Sequence, residues 1–301
     1  MDKALKELEA LSKRLADADY NYIYQLIESI KPKCIPTAKL HKGWYIDRIR
    51  LNDPPERTFN SISDISHHRN PEFFHTIGRG RANDEGQPIF YGSVLSPEIK
   101  TPRLVAYLET SKLQRELERN PHLPEYQNLS ETFTMSRWKI LEDIEVVEMI
   151  LSEEALQVSQ YAKDALANQL KNLGDSVHKD HCIEQLKFFS NEFARNDIDK
   201  NEDGNYQTYK YKISAAYISY IMNRTKFKGV TYPSVSTRYF GQNVALMPEV
   251  VEKYLRLESA AMFKFDRING ENIPIDAFKI ATDLGPDHKA FVWQEYIPLK
   301  K

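Results

Sequence analysis

The sequence predicts an α+β fold, a mixed sheet with flanking helices. Three observations carry this. Short runs rich in β-branched and aromatic residues, WYIDRIRL from Trp44, PIFYGSV from Pro88 and ETFTMSRWKIL from Glu131, are separated by turn-rich segments containing Pro54, Pro55, Asn70, Pro71 and Gly86. Long stretches of helix formers lie before and after them, at residues 3–30 and 152–195. Strand signals return near the C-terminus, so strands stand on both sides of helical segments.

Taken in order, Leu5, Leu8, Leu11, Leu15, Tyr22, Leu26 and Ile30 fall at helical spacing with Lys and Glu between them. Residues 3–30 therefore read as amphipathic helix, which Lys31-Pro32 ends. The segment KPKCIPTAKLHKG reads as a linker, which makes residues 1–40 an N-terminal helical extension outside the sheet. The helical stretch 152–195 breaks at Gly174 and suggests two helices packed as a hairpin, an insertion spanning about 150–205. Beyond the polar loop DIDKNEDGN, a helix from Tyr206 to Asn223 leads through Gly229 into VTYPSV and the apolar NVALM. Pro248 with EVVEKYLRLESAAMF reads as one more helix. FKIATD and AFVWQEYI then alternate as strands around a Gly285-Pro286-Asp287 turn.

Composition narrows the function classes. With 41% apolar and 28% charged residues over 301 positions, the chain can bury a large core. Its 41 basic and 43 acidic side chains leave a charge of −2, so there is no general attraction to nucleic acid or to an anionic membrane, and any anion site must be local. Cys34 and Cys182 are too few for a disulfide framework and fit a reducing compartment. The N-terminal segment carries acidic residues throughout and resembles neither a signal peptide nor an anchor. No apolar run approaches the roughly 20 residues needed to span a bilayer. Together these point to a cytoplasmic protein.

Residues 59–93 are dense in turn residues and arginines immediately before an apolar strand, and such loops deliver side chains to a sheet edge. Arg81 can grip a phosphate with two parallel hydrogen bonds, and Gly78 and Gly80 allow backbone N–H groups to approach the same anion. An ordinary surface loop with solvated arginines is the alternative on local composition alone. Arg48 and Arg50 share one face of their strand by its period of two, so both turn toward a site or both toward solvent.

Several motifs in linked order resemble the RES domain family. They are Arg48-Ile49-Arg50, Phe59-Asn60-Ser61-Ile62-Ser63-Asp64, Gly80-Arg81-Ala82-Asn83 with Gly86 and Phe90-Tyr91, Leu108-Glu109, Gly229-Val230-Thr231-Tyr232-Pro233-Ser234-Val235 and Gln242-Asn243-Val244-Ala245-Leu246. The resemblance covers roughly residues 44–250 with a long unmatched helical stretch inside. It implies an ADP-ribosyltransferase-like fold over a catalytic domain of residues 41–301. It also implies an NAD-degrading toxin held inactive by a helix-turn-helix antitoxin. By the same resemblance Arg81, Tyr91, Glu109 and Ser234 match site residues. Ala82 is small where the family has a bulky aromatic, a change that widens the pocket or marks a subfamily. The run from Tyr91 to Glu109 is longer than the family's spacing, which leaves Glu98 as the alternative carboxylate.

The chemistry of NAD suits this set. Its nicotinamide is a cationic leaving group that departs neutral, so breaking its bond to ribose needs no general acid, and one carboxylate suffices to stabilise an oxocarbenium-like sugar. Glu109 takes that role, Arg81 with Arg48 or Arg50 holds the pyrophosphate, and Tyr91 supplies a flat face and a hydroxyl. Asn83 joins the substrate-binding set through its motif, while Ser234 and Asn243 can fix the nicotinamide end. Each residue also has an ordinary structural role open to it: a surface glutamate on a helix, a packed strand tyrosine, a turn-capping serine.

NAD enters as substrate and no cofactor or metal is expected. Asp199 to Gly204 resembles half a calcium loop but has Lys210 at the twelfth position, and His178, His181 and Cys182 lack further ligands. His67-His68 either border the pocket or do nothing. Two other functions stay open. One is an ADP-ribosyltransferase acting on a macromolecule. The other is a non-enzymatic interaction protein with a decayed NAD pocket that uses its added helices to bind a partner or to form a homodimer.

Overall fold

The computed structural model describes residues 3–32, 34–54, 57–120, 122–196, 207–284 and 290–296. Helices α1 (Lys3–Ser12) and α2 (Tyr20–Ile30) precede strands β1 (Thr37–Leu40) and β2 (Tyr45–Leu51). The one-turn helix α3 (Ile62–Ile65) leads to β3 (Phe90–Val94), α4 (Pro102–Thr110) and α5 (Lys112–Arg119). Strands β4 (Leu129–Ile140) and β5 (Ile144–Glu148) come next, then the helical insertion α6 (Glu153–Val158), α7 (Gln160–Leu173) and α8 (Lys179–Phe193). The remainder is α9 (Lys212–Arg224), β6 (Gly229–Pro233), β7 (Gln242–Leu246), α10 (Pro248–Tyr254), β8 (Leu255–Ile268), β9 (Glu271–Asn272), β10 (Asp276–Asp283) and β11 (Val292–Glu295).

These strands form one sheet in the order β1-β5-β6-β7-β3-β2-β4-β8-β10-β11, with β9 paired to β8. Only β5 and β6 run parallel; the other described pairings are antiparallel. The fold is thus α+β, a large mixed sheet with flanking helices. Its central strands are buried on both faces: Val147 and Ala245 join one apolar cluster while their neighbours Val146 and Val244 join the other. That double burial is why NVALM reads as an unbroken apolar run.

The N-terminal segment differs from its sequence reading in two ways. It is two helices, because Asp19 accepts a hydrogen bond from the Tyr22 N–H (2.8 Å) and caps α2, while Lys212 Nζ donates to the carbonyls of Leu15, Ala16 and Ala18 and supports the break between them. Nor is it an appendage. Leu5, Leu8, Ile23 and Ile27 are fully buried in the same cluster as Ala82, Tyr217, Val230 and Ala245. Each such side chain contributes about 1.5–3 kcal/mol. Thr37–Leu40, read as linker, is an edge strand paired with β5.

Residues 255–268 form β8, where the sequence reading has the helix begun at Pro248 continuing to Phe263. Leu, Glu, Ala and Met favour helix locally, but Leu255 and Leu257 are buried while Arg256 and Glu258 are exposed, the period of a strand. Pairing with β4 from Leu129↔Arg267 to Ile140↔Leu255 outweighs the propensity. The insertion has a third helix, since Ser152 and Ser159 each cap a new start, and Gly174 at φ +53° ends α7 as its sequence suggests. The Gly285-Pro286-Asp287 turn lies outside the described residues, as does the whole DIDKNEDGN loop. Among the described residues, no helix is long and apolar enough to cross a membrane.

Candidate functional site

A defect in the sheet makes the site. Strands β2 and β3 pair only at Ile46↔Val94 and Asp47↔Ser93 and then diverge. Arg48, the next residue of β2, donates through Nη1 to the Tyr91 carbonyl (2.6 Å), and its guanidinium lies 5.1 Å from the centre of the Phe90 ring. Its Nε is buried without a hydrogen-bond partner, a cost a bound acceptor would remove. Burial, and then the charge of Arg50, pull the Arg48 pKa below the ordinary guanidinium value. The opening is a cleft of about 220 Å³ whose wall includes Arg48, Arg81, Tyr91, Glu109, Tyr232 and Asn243.

The loop before β3 is built around the tyrosine that follows it. The Tyr91 hydroxyl accepts from the Ala82 N–H (2.9 Å) and donates to Asn83 Oδ1 (2.8 Å), while Asn83 Nδ2 donates to the carbonyls of Gly78 and Asp84. Gly80 pairs with Asn83 across this turn, its N–H donating to the Asn83 carbonyl at 3.0 Å. A Cβ at Gly80 would stand 2.6 Å from both Asn83 Oδ1 and the Tyr91 oxygen, so the residue has to be glycine. The tyrosine hydroxyl is committed to its own loop, and only its ring is offered to the cleft. Burial raises the Tyr91 pKa, so the phenol stays protonated. Tyr91→Phe removes both bonds and leaves the buried Asn83 amide oxygen and the Ala82 N–H unsatisfied. The expected loss is about 1–2 kcal/mol in urea denaturation, and an unchanged unfolding midpoint would contradict this role.

Arg81 bridges the loop and the insertion. Its Nη1 donates to the Phe193 carbonyl (2.6 Å) and its Nη2 to the Arg195 carbonyl (2.9 Å), two acceptors at the C-terminal end of α8, and its guanidinium lies 5.0 Å from the centre of the Tyr211 ring. Burial opposes the charge, but Tyr211, Glu109, Tyr232 and Tyr91 together more than offset it and hold the Arg81 pKa above its ordinary value. Two of five N–H donors are used on these carbonyls.

Glu109 sits in the last turn of α4, whose Ala106 and Tyr107 pack on Ile49 and Phe133 and so fix the helix against β2 and β4. Its Oε1 accepts from the fully buried Ser234 hydroxyl at 2.6 Å and from the Ser236 N–H at 3.4 Å. Among the described residues both bonds fall on Oε1, which leaves Oε2 with capacity for a ligand. Glu98 is elsewhere: it accepts from the Gln160 N–H (2.7 Å) and the Ser159 hydroxyl (2.9 Å) and caps the start of α7. The structure brings Glu109 to the cleft and Glu98 away from it.

Of the residues singled out by sequence, Arg48, Arg81, Tyr91, Glu109 and Asn243 line the cleft. Asn243 lies there on β7 and accepts from the Ser93 hydroxyl (2.9 Å). Asn83 and Ser234 do not line it; each holds a residue that does. Arg50 stays near enough to Arg48 for its charge to act on it but does not line the cleft, because beyond the split it donates to the Asp64 carbonyl and stacks on Phe59. Ala82 neither widens nor narrows the cleft, its side chain being buried in the core. Tyr211 and Tyr232 were not legible as site residues: the first sits in a short turn at Thr208–Tyr211, the second inside an apolar strand. His67 is buried against Ser66 and Glu252 and is not part of the wall. Among the described residues, no group of three or more His, Cys, Asp or Glu side chains could hold a metal ion.

Neither a protein-family model nor a curated protein matches this chain.

Proposed function

We propose that the cleft cleaves the bond between nicotinamide and ribose in NAD, passing the ADP-ribosyl group to water or phosphate. The observation that carries this reading is Glu109, fixed through Oε1 by a buried serine, in one cleft with two arginines and three tyrosine rings. As the C1′–N1 bond breaks, its electron pair goes to the pyridinium nitrogen and nicotinamide leaves neutral. Positive charge develops on the sugar, and Glu109 Oε2 stabilises it or hydrogen-bonds a ribose hydroxyl more strongly in the transition state. Water then adds at C1′ and a proton is released, giving ADP-ribose. Arg81 holds the phosphate beside the ribose, Arg48 offers its Nε to a substrate acceptor, and Tyr91 and Tyr232 provide flat faces for the planar ring.

The RES resemblance supports the same chemistry and, with it, a place as the cytoplasmic toxin of a pair neutralised by a helix-turn-helix partner. Product analysis tests the reaction. With NAD labelled in the adenosine, free nicotinamide and labelled ADP-ribose, or its 1-phosphate, are expected in equal amounts. Label retained on a macromolecule would contradict transfer to water or phosphate.

A further inference from the structure

Of the tyrosine rings in the cleft wall, Tyr211 already has a face taken up by a protein cation, the Arg81 guanidinium 5.0 Å from its centre. The two hydrogen bonds that Arg81 makes do not by themselves fix a planar group. Nη1 donates to the Phe193 carbonyl (2.6 Å) and Nη2 to the Arg195 carbonyl (2.9 Å), which sets the line joining the two nitrogens. About that line the plane can still tilt, and the remaining N–H donors tilt with it. The Tyr211 ring is a contact off the line and closes this last freedom.

Tyr211 is itself held in place. It stands immediately before α9, and its carbonyl accepts from the fully buried Ser214 hydroxyl (3.2 Å). Ile213, Ala216 and Tyr217 of the same helix are fully buried in the central core. These three contacts to Arg81 therefore come from the C-terminal end of α8 and the turn that begins α9.

Resting on the NAD reading, we infer that Tyr211 is a positioning residue that acts through Arg81, setting the plane in which its free N–H donors meet the substrate phosphate. The helical insertion is thereby part of the site, because its end and Tyr211 together hold the arginine. An arginine oriented before the substrate arrives loses less freedom on binding.

Calorimetric titration with inorganic pyrophosphate, which has no ring to stack, tests this beside titration with nicotinamide, which has no phosphate. Tyr211→Leu is expected to weaken pyrophosphate about threefold to thirtyfold, the range of a cation–π contact, and to leave nicotinamide unaltered. Tyr211→Phe, which keeps the ring face, recovers most of the loss. Tyr211→Met fills the space without a face and carries the same expectation as Tyr211→Leu. The dissociation constant does not depend on the fraction of protein that is folded, so partial misfolding does not mimic the result. Unchanged pyrophosphate binding in both ring-less variants, or equal weakening of pyrophosphate and nicotinamide, overturns the positioning role and leaves the NAD reading standing. Wild-type protein that binds no pyrophosphate overturns the phosphate role of Arg81 and this inference with it.

Discussion

Glu109→Gln slows nicotinamide release from NAD by about 10²–10³-fold and leaves the fold intact. The substitution keeps the length of the side chain and keeps an Oε1 that can accept from the Ser234 hydroxyl, so the local hydrogen bonding survives. What disappears is the negative charge opposite the developing oxocarbenium. Fixed electrostatic groups aimed at transition-state charge are worth about that factor when removed singly. Because the charge matters more in the transition state than in the ground state, the loss appears in kcat, with KM little altered. A continuous nicotinamide assay together with a thermal melt checks both halves. A variant that melts with wild type yet retains its turnover would remove Glu109 from the chemistry.

Arg81→Ala is expected to cost both stability and activity. Two charge-assisted hydrogen bonds to the end of α8 are lost with the contact to Tyr211, so unfolding becomes easier by about 2–4 kcal/mol, read as a lower urea midpoint. Turnover falls further than stability explains, because the phosphate loses its partner and the insertion loses its tie to the cleft. Arg81→Lys separates the two effects: a point charge remains to attract the phosphate, but an ammonium does not reproduce the planar fork that reaches both carbonyls. It should recover part of the substrate affinity and less of the stability. Equal stability of wild type and Arg81→Ala would mean that the α8 contacts contribute nothing.

The two residues also mark where sequence reasoning succeeds and where it ends. Gly80, Asn83 and Tyr91 are legible because their interactions are local: the tyrosine closes hydrogen bonds to a turn only eight and nine residues away, whereas Arg81 of the same motif finds its acceptors 112 and 114 residues on. Glu109 could not be separated from Glu98 in the sequence. The distinction depends on Glu98 capping a helix that begins 62 residues later and on Ser234 meeting Glu109 across 125 residues. Arg48 and Arg50 share a face by strand period, yet the divergence of β2 from β3 sends them to different partners, and no periodicity encodes a split in a sheet. The leucines of α1 and α2 announce an amphipathic helix but not the surface that covers it, so a helical extension and a helix pair buried in the central core look alike. In β8 helix-forming composition concealed a strand whose long antiparallel partner is β4.

Incubating NAD with purified wild-type protein and Glu109→Gln side by side, at equal concentration and free of any partner, tests the central claim most directly. Steady release of nicotinamide by the wild type, at least a hundredfold slower in the variant, is the predicted result. Intact NAD in the wild-type sample, or equal release in both, would contradict it.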